Sequence, residues 1–189
     1  MAFEMPLAGF NFRIFFSAEI QEDPSLDSGD ALKTAGTQAA TVIPGAAAAG
    51  ITAGFAEVHG LIAEIEVEDY REGGRNIGPR RFPRWGRYQN LVMRRGVTSD
   101  TALWGWWADV ITHSYTLAKG SAQRVPRRNG VIVLDRFDHK AVAAWFFANA
   151  LPERLVGPSL NARTSEIAIE TLELSHEGLL RLGSLPPGI

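Results

Sequence analysis

From Leu61 to Val67 the odd positions are apolar or small, and Glu64, Glu66 and Glu68 place carboxylates at even positions. This period of two predicts a strand with one buried face, ended by Gly73-Gly74. Phe10, Phe12, Ile14 and Phe16 alternate with Asn11 and Arg13, predicting a first strand that ends near Gln21. Strands resume at Gly130–Phe137 and Val142–Phe147. The last long one, Glu166–Ser175, alternates until Thr171-Leu172 sets two semi-apolar residues side by side. A β-bulge there would return Leu172 and Leu174 to the inward face.

One stretch follows a helical period instead. Leu103, Trp107, Val110, Ile111 and Ser114 recur at helical spacing behind Ser99 or Asp100, either of which can cap, so an amphipathic helix packed on a sheet is expected. Trp104, Trp106 and Trp107 point in different directions at about 3.6 residues per turn, which favours core packing over a flat carbohydrate platform. Strands before, around and after one helix predict a mainly β architecture, a two-sheet sandwich or partly open barrel.

Composition limits the choices. With 189 residues, 46% hydrophobic and 21% charged, the chain can bury one good core, and a single domain over residues 1–189 is expected. Glu22 to Asp30 is acidic and turn-rich, and Thr34 to Gly54 is mostly Ala, Gly and Thr. Residues from about 21 to 53 therefore read as an insertion loop, longer than compact domains usually need. The net charge of -2 gives no reason to expect bulk attraction to nucleic acid or membrane. The absence of cysteine excludes disulfides and thiolate metal sites. Met1 to Pro6 carries an acid where a secretory signal needs Lys or Arg, and no apolar run approaches the roughly 20 residues of a membrane span, so synthesis in the cytoplasm is expected.

Catalytic and cofactor motifs are missing. His59, His113, His139 and His176 lie far apart without helical metal-ligand spacing, and His176-Glu177 lacks a second His. Asp135, Asp138 and His139 form one local oxygen–nitrogen cluster, at a position where a strand should turn and Asp is a common turn residue. Gly73-Gly74 is not followed by the Gly-Lys-Ser/Thr of a nucleotide loop, and there is no G-x-S-x-G elbow. No cofactor, no metal and no enzymatic activity are expected.

A charge dipole does stand out. Glu57, Glu64, Glu66, Glu68, Asp69 and Glu72 precede Arg71, Arg75, Arg80, Arg81, Arg84, Arg87, Arg94 and Arg95, which are interleaved with Phe82, Trp85 and Tyr88. Arginine with aromatics suits single-strand nucleic-acid channels and also protein interfaces. The adjoining acidic block and the slightly acidic chain favour the interface; a solvated hairpin surface is the bland alternative. Glu64, Glu66, Glu68, Arg80, Arg81, Arg84, Trp85 and Arg87 are the candidate subunit-interface residues, expected to meet across subunit or ring boundaries.

The order of motifs points to a family. Phe55-Ala56-Glu57-Val58-His59-Gly60-Leu61, Glu66-Val67-Glu68-Asp69-Tyr70-Arg71-Glu72-Gly73-Gly74-Arg75-Asn76 and Asn90-Leu91-Val92-Met93-Arg94-Arg95-Gly96 are followed by Trp104 to Trp107 in a helix and Val131 to Asp135. Trp145 to Pro152, Gly157, Leu160 and Glu170 to Gly178 complete the set. Over about Gly9 to Ile20 and Phe55 to Leu182 the chain resembles the inner-tube proteins of contractile phage tails and extracellular contractile injection systems, which are related to type VI secretion tube proteins.

The resemblance implies a tail-tube β-barrel with one helix. Copies would close into a hexameric ring by joining sheets edge to edge, and rings would stack into a conduit for DNA or protein cargo that sheath contraction drives through a target envelope. It implies sheath, baseplate, spike and tube-terminator partners, and a place in a phage tail or an extracellular tail-like particle. The insertion departs from the short connection of main tube subunits, so a baseplate-proximal tube initiator is the alternative within the family. A soluble, monomeric small-ligand-binding β-barrel is the alternative outside it.

Overall fold

The computed structural model describes residues 12–17, 52–73, 77–118, 125–135, 141–161, 163 and 167–182. Along these residues run β1 (Phe12–Phe16), β2 (Thr52–Ala53), β3 (Glu57–His59), β4 (Ala63–Tyr70), β5 (Arg80–Tyr88) and β6 (Leu91–Gly96). Helix α1 (Ala102–Ala118) follows, then β7 (Arg128–Asp135), β8 (Ala141–Val156), β9 (Ile169–Ser175) and β10 (Gly178–Leu182). The main sheet is ordered β2-β1-β7-β8-β9-β6-β3, with β10 also on β8, and β4 and β5 form a separate two-stranded sheet. All pairings are antiparallel.

One long strand makes two sheets out of one path. The first half of β8 lies between β7 and β10, and its second half, from Leu151, pairs with β9. The change of sheet comes at Asn149, whose φ of 52° lies in the left-handed region that Asn tolerates better than most residues. Its backbone N–H donates to Asn129 Oδ1 at 2.9 Å, and its side chain donates to Glu177 at 3.0 Å. Arg127 donates to both the Asn149 carbonyl and Glu177. The corner is thus fixed by side chains from β7, β8 and the two neighbouring connections.

The core follows from alternation on these strands. Ile14, Phe16, Ile132 and Phe147 join Leu91, Met93, Leu172 and Leu174 in one buried cluster that also takes Leu103, Trp106 and Val110 from α1. Successive side chains of a strand face opposite ways, so Val131 and Val133 of β7 lie across the sheet from Ile132, in a second cluster with Ala144 and Phe146. The unbroken apolar run Val131-Ile132-Val133 reflects burial on both faces. Phe147 lies directly over Gly130, where a Cβ would run into the ring.

The helix begins as its sequence suggests, with Asp100 accepting the Ala102 N–H at 2.9 Å, but its buried face is rotated from the expected one. Leu103, Trp106 and Val110 are buried, whereas Trp107 and Ile111 are half-buried and Ser114 is exposed. Trp106 wins the inward position because its ring meets Phe16, with centroids 5.7 Å apart, while its indole N–H finds the Pro126 carbonyl at 2.8 Å.

Other expectations shift too. β9 needs no bulge: Glu170, Leu172 and Leu174 are buried in unbroken alternation, and the irregularity lies in the opposite strand, between Pro152 and Arg154 of β8. Proline fits such a break because it has no N–H to give the ladder. Glu170 can occupy an inward position because Arg95 is buried beside it, at 3.0 Å; Trp104 donates to the same carboxylate and Arg95 to the Asp100 carbonyl. Arg95 therefore belongs to the fold and not to the exposed arginine segment. Asp135, a member of the oxygen–nitrogen cluster, is held by Arg13 through contacts of 2.6 and 2.9 Å; Asp138 and His139 lie outside the described residues. Of the expected insertion, Thr52 and Ala53 pair with β1 as β2, and the rest lies outside the described residues.

Candidate assembly interface

The strand expected around Leu61 to Val67 forms as β4, but its buried face does not: every β4 side chain is exposed. β5 is exposed from Arg80 to Arg87 and half-buried only at Tyr88. Among the described residues these strands pair only with each other, and both faces of the hairpin are exposed. One face presents Ile65 opposite Gly86 and Val67 opposite Pro83, with Ile65 65% and Val67 50% exposed. The other presents Glu64 opposite Arg87 and Glu68 opposite Phe82. Between Ile65 and Val67 the register shifts, so Arg84 and Trp85 both stand against Glu66, and Trp85 is left 66% exposed.

The candidate residues come together within this one hairpin. Arg87 meets Glu66 at 3.0 Å, Arg84 meets Glu68 at 3.3 Å, Arg81 meets Asp69 at 3.3 Å and Arg80 meets Glu72 at 3.2 Å. Glu64 accepts from the Gln89 side chain at 3.1 Å. The acidic and basic blocks of the sequence are thus the two strands of a ladder, with cross-strand charges matched along its length. Such exposed pairs each contribute only about 0–1 kcal/mol. Tyr70 and Phe82 add an edge-on aromatic contact at 6.2 Å.

At its root the hairpin leaves the main sheet through a hydrogen-bonded corner. Gly60 has φ of 91°, and a Cβ there would strike the Asn90 carbonyl oxygen. Ile62 N–H donates to the Gly60 carbonyl at 2.7 Å and Gln89 N–H to the Ile62 carbonyl at 3.2 Å. Asn90 donates to Glu153 and Glu173. His176 lies between the two parts, with Nε2 3.0 Å from the Gln89 carbonyl and Nδ1 3.0 Å from that of Gly178, and its ring is 5.5 Å from Tyr88. Burial pushes its pKa below the ordinary value, against the opposing pull of the two carbonyls.

The charge pattern points to this hairpin, whereas the alternation places Ile65 and Val67 on a core face that the structure leaves exposed, and the root residues His176, Gln89 and Asn90 carry no local signal. Among the described residues no group of three or more His, Asp or Glu is placed to hold a metal ion, and no helix is long and apolar enough to cross a membrane.

The described residues form a two-sheet β body with one helix and an exposed two-stranded hairpin. The profile of the family described as T4-like virus tail tube protein gp19 matches residues 10–180, and the chain belongs to that family. It is a structural tube protein, which sets aside the small-ligand-binding barrel. No curated protein matches the sequence.

Several solved structures share the fold. A chain in the 6-fold symmetrised baseplate of the anti-feeding prophage is 23% identical, covering 96% of this chain and 98% of that one with a TM-score of 0.63. A chain in the extended sheath–tube complex of the PVC extracellular contractile injection system is 18% identical, covering 96% and 94% with a TM-score of 0.64. A chain in the tube-terminating cap of the anti-feeding prophage is 17% identical, covering 97% and 95% with a TM-score of 0.66.

Proposed function

We propose that copies of this chain close into hexameric rings, and that the rings stack into the inner tube of a contractile tail or injection system. The exposed β4–β5 hairpin carries this proposal. A lone two-stranded sheet is marginal in water, yet this one spends Ile65, Val67 and Trp85 on uncovered positions. Full burial of one such aliphatic side chain stabilises by about 1.5–3 kcal/mol, a gain available here through another protein surface. Neighbouring copies supply that surface, with Glu64, Glu66, Glu68, Arg80, Arg81, Arg84, Trp85 and Arg87 forming the charged side of the contact. Ion pairs inside the hairpin hold these side chains in register before assembly.

Cyclic closure ends growth in the plane and leaves the axis open to stacking. In this arrangement the sheath lies outside the tube, the baseplate with its spike at one end and a terminator at the other, and the lumen carries protein cargo or DNA. Subunits are made in the cytoplasm before they enter the particle. No residue is required to perform chemistry.

Electron microscopy and light scattering of the purified chain test the proposal, with rings or stacks expected. A folded protein that stays monomeric at high concentration would overturn it. The triple reversal Arg80→Glu, Arg81→Glu and Arg84→Glu should impair assembly while leaving the subunit's melting temperature nearly unchanged, because exposed pairs contribute about 0–1 kcal/mol each. Normal assembly of that variant would show that the charged face is merely solvated.

A further inference from the structure

Asn-Gly occurs once in the sequence, at Asn129-Gly130 in β7, and the structure gives each residue a separate reason to be there. Between Arg128 and Gly130 the pairing of β7 with β8 shifts, so Asn129 falls at an irregularity in the ladder. Its side chain supplies an acceptor in place of the ladder: Oδ1 takes the Asn149 N–H at 2.9 Å, at the corner where β8 changes sheet. Gly130 lies under the Phe147 ring, where no Cβ fits. Two unrelated packing demands therefore set an asparagine before a glycine.

Asparagine is a thermolabile residue, and a following glycine makes it more so, because without a Cβ the glycine nitrogen is open to approach. In a chain free to bend, the Gly130 nitrogen attacks Asn129 Cγ, the new C–N bond closes a cyclic imide, and the side-chain nitrogen departs as ammonia with the Gly130 proton. Water then opens the imide at either carbonyl. Cleavage at Cγ gives aspartate; cleavage at the backbone carbonyl gives isoaspartate, whose main chain runs on through the former side chain. The folded sheet denies the first step its geometry. Gly130 is buried and paired with Phe16 of β1 on one side and Phe147 of β8 on the other. Asn129 is fastened at three points, its N–H on Ser17 Oγ at 3.1 Å, its carbonyl on the Ser17 N–H at 2.8 Å and its Oδ1 on the Asn149 N–H. An extended strand also turns the side chain out of the pleat, away from the next backbone nitrogen.

We propose that Asn129-Gly130 is a site of spontaneous deamidation that the unfolded chain exposes and the folded subunit closes. The two products differ in what they permit. Aspartate at this position keeps an oxygen for the Asn149 N–H, and Arg127, bonded to the Asn149 carbonyl and to Glu177, is a cation at the same corner. Isoaspartate puts an extra atom into the main chain just ahead of Val131, Ile132 and Val133, whose side chains are buried on both faces, so β7 loses register with β1 and β8. A chain that lingers unfolded is thereby converted in part to a form that the sheet rejects.

The full chain, held folded in buffer or unfolded in urea at the same mildly alkaline pH, is digested with trypsin and the Asn129–Arg136 peptide is followed by chromatography and mass spectrometry. Conversion to the aspartate and isoaspartate peptides should be about tenfold or more faster in urea, because the folded chain reacts only through local opening of β7. Asn129→Gln should abolish it. No conversion in urea would remove the site, and equal rates in both conditions would remove the protection by the sheet. The aged chain is then returned to buffer and its folded fraction isolated by size exclusion. That fraction should contain the aspartate form and be depleted of isoaspartate; isoaspartate present there in its original proportion would overturn the rejection by β7. Asn129→Asp, made directly, should fold with a melting temperature near that of the parent, and its failure to fold would overturn the distinction between the two products.

Discussion

In β9, Glu170, Leu172 and Leu174 alternate with Thr171 and Glu173 and are buried; in β4, Ile65 and Val67 alternate with Glu64, Glu66 and Glu68, and every side chain is exposed. The two strands have nearly the same pattern of apolar and acidic positions. They differ in what lies over them: β9 sits between β8 and β6 with α1 packed into the same core, whereas among the described residues β4 has only β5 at its side. A period of two says which residues share a face. It does not say whether the cover for that face comes from the same chain.

The comparison can be broken by one kind of substitution placed at both strands. Leu172→Asp, at a residue 2% exposed, buries an unpaired charge and should destabilise the subunit by about 4 kcal/mol or more. Val67→Asp, at a residue 50% exposed, should change subunit stability by only about 0.5 kcal/mol but prevent assembly. Chemical denaturation measures the first quantity and light scattering the second. If Val67→Asp unfolds the isolated subunit, the hairpin is part of the core and the contrast between the strands disappears.

The join between the two regions gives an intermediate effect. Gly60→Ala forces a Cβ onto a residue with φ of 91° and into the Asn90 carbonyl oxygen. A loss of about 1–3 kcal/mol is expected. It should show as faster amide hydrogen exchange in Gln89 and Asn90 before any change in Phe147, which is buried in the body. Uniform loss of protection would mean that hairpin and body unfold as one unit.

The smallest expected effect sharpens the same join. Because the His176 pKa is lowered in the folded protein, mainly by burial, the unfolded chain takes up the proton first as pH falls. Stability should therefore be fully present above the ordinary histidine range near about 6.5 and decline as pH drops from there to the lowered folded value, with no further loss from this group below it. Melting temperatures from pH 8 to pH 5, compared with those of His176→Gln, measure the contribution. An equal slope in both proteins would remove His176 from the account.

Local pattern carried much of this molecule. Phe12 to Phe16, Val131 to Val133 and the Leu103–Val110 spacing are legible because strand and helix periods arise from backbone geometry near each residue. The ordered motifs from Phe55 to Gly178 identified the tail-tube family, and the acidic and arginine blocks marked the region of the hairpin. What the sequence left open depended on contacts between distant segments. Trp106 rather than Trp107 is buried because Phe16 and Pro126 come to meet it. Arg95 is inside because Glu170 lies opposite, 75 residues away along the chain. The acidic and basic blocks face each other because β4 and β5 pair antiparallel. Composition fixed how much apolar surface this chain carries; only the tertiary structure decided which part is hidden within the subunit and which part, on β4, stays exposed.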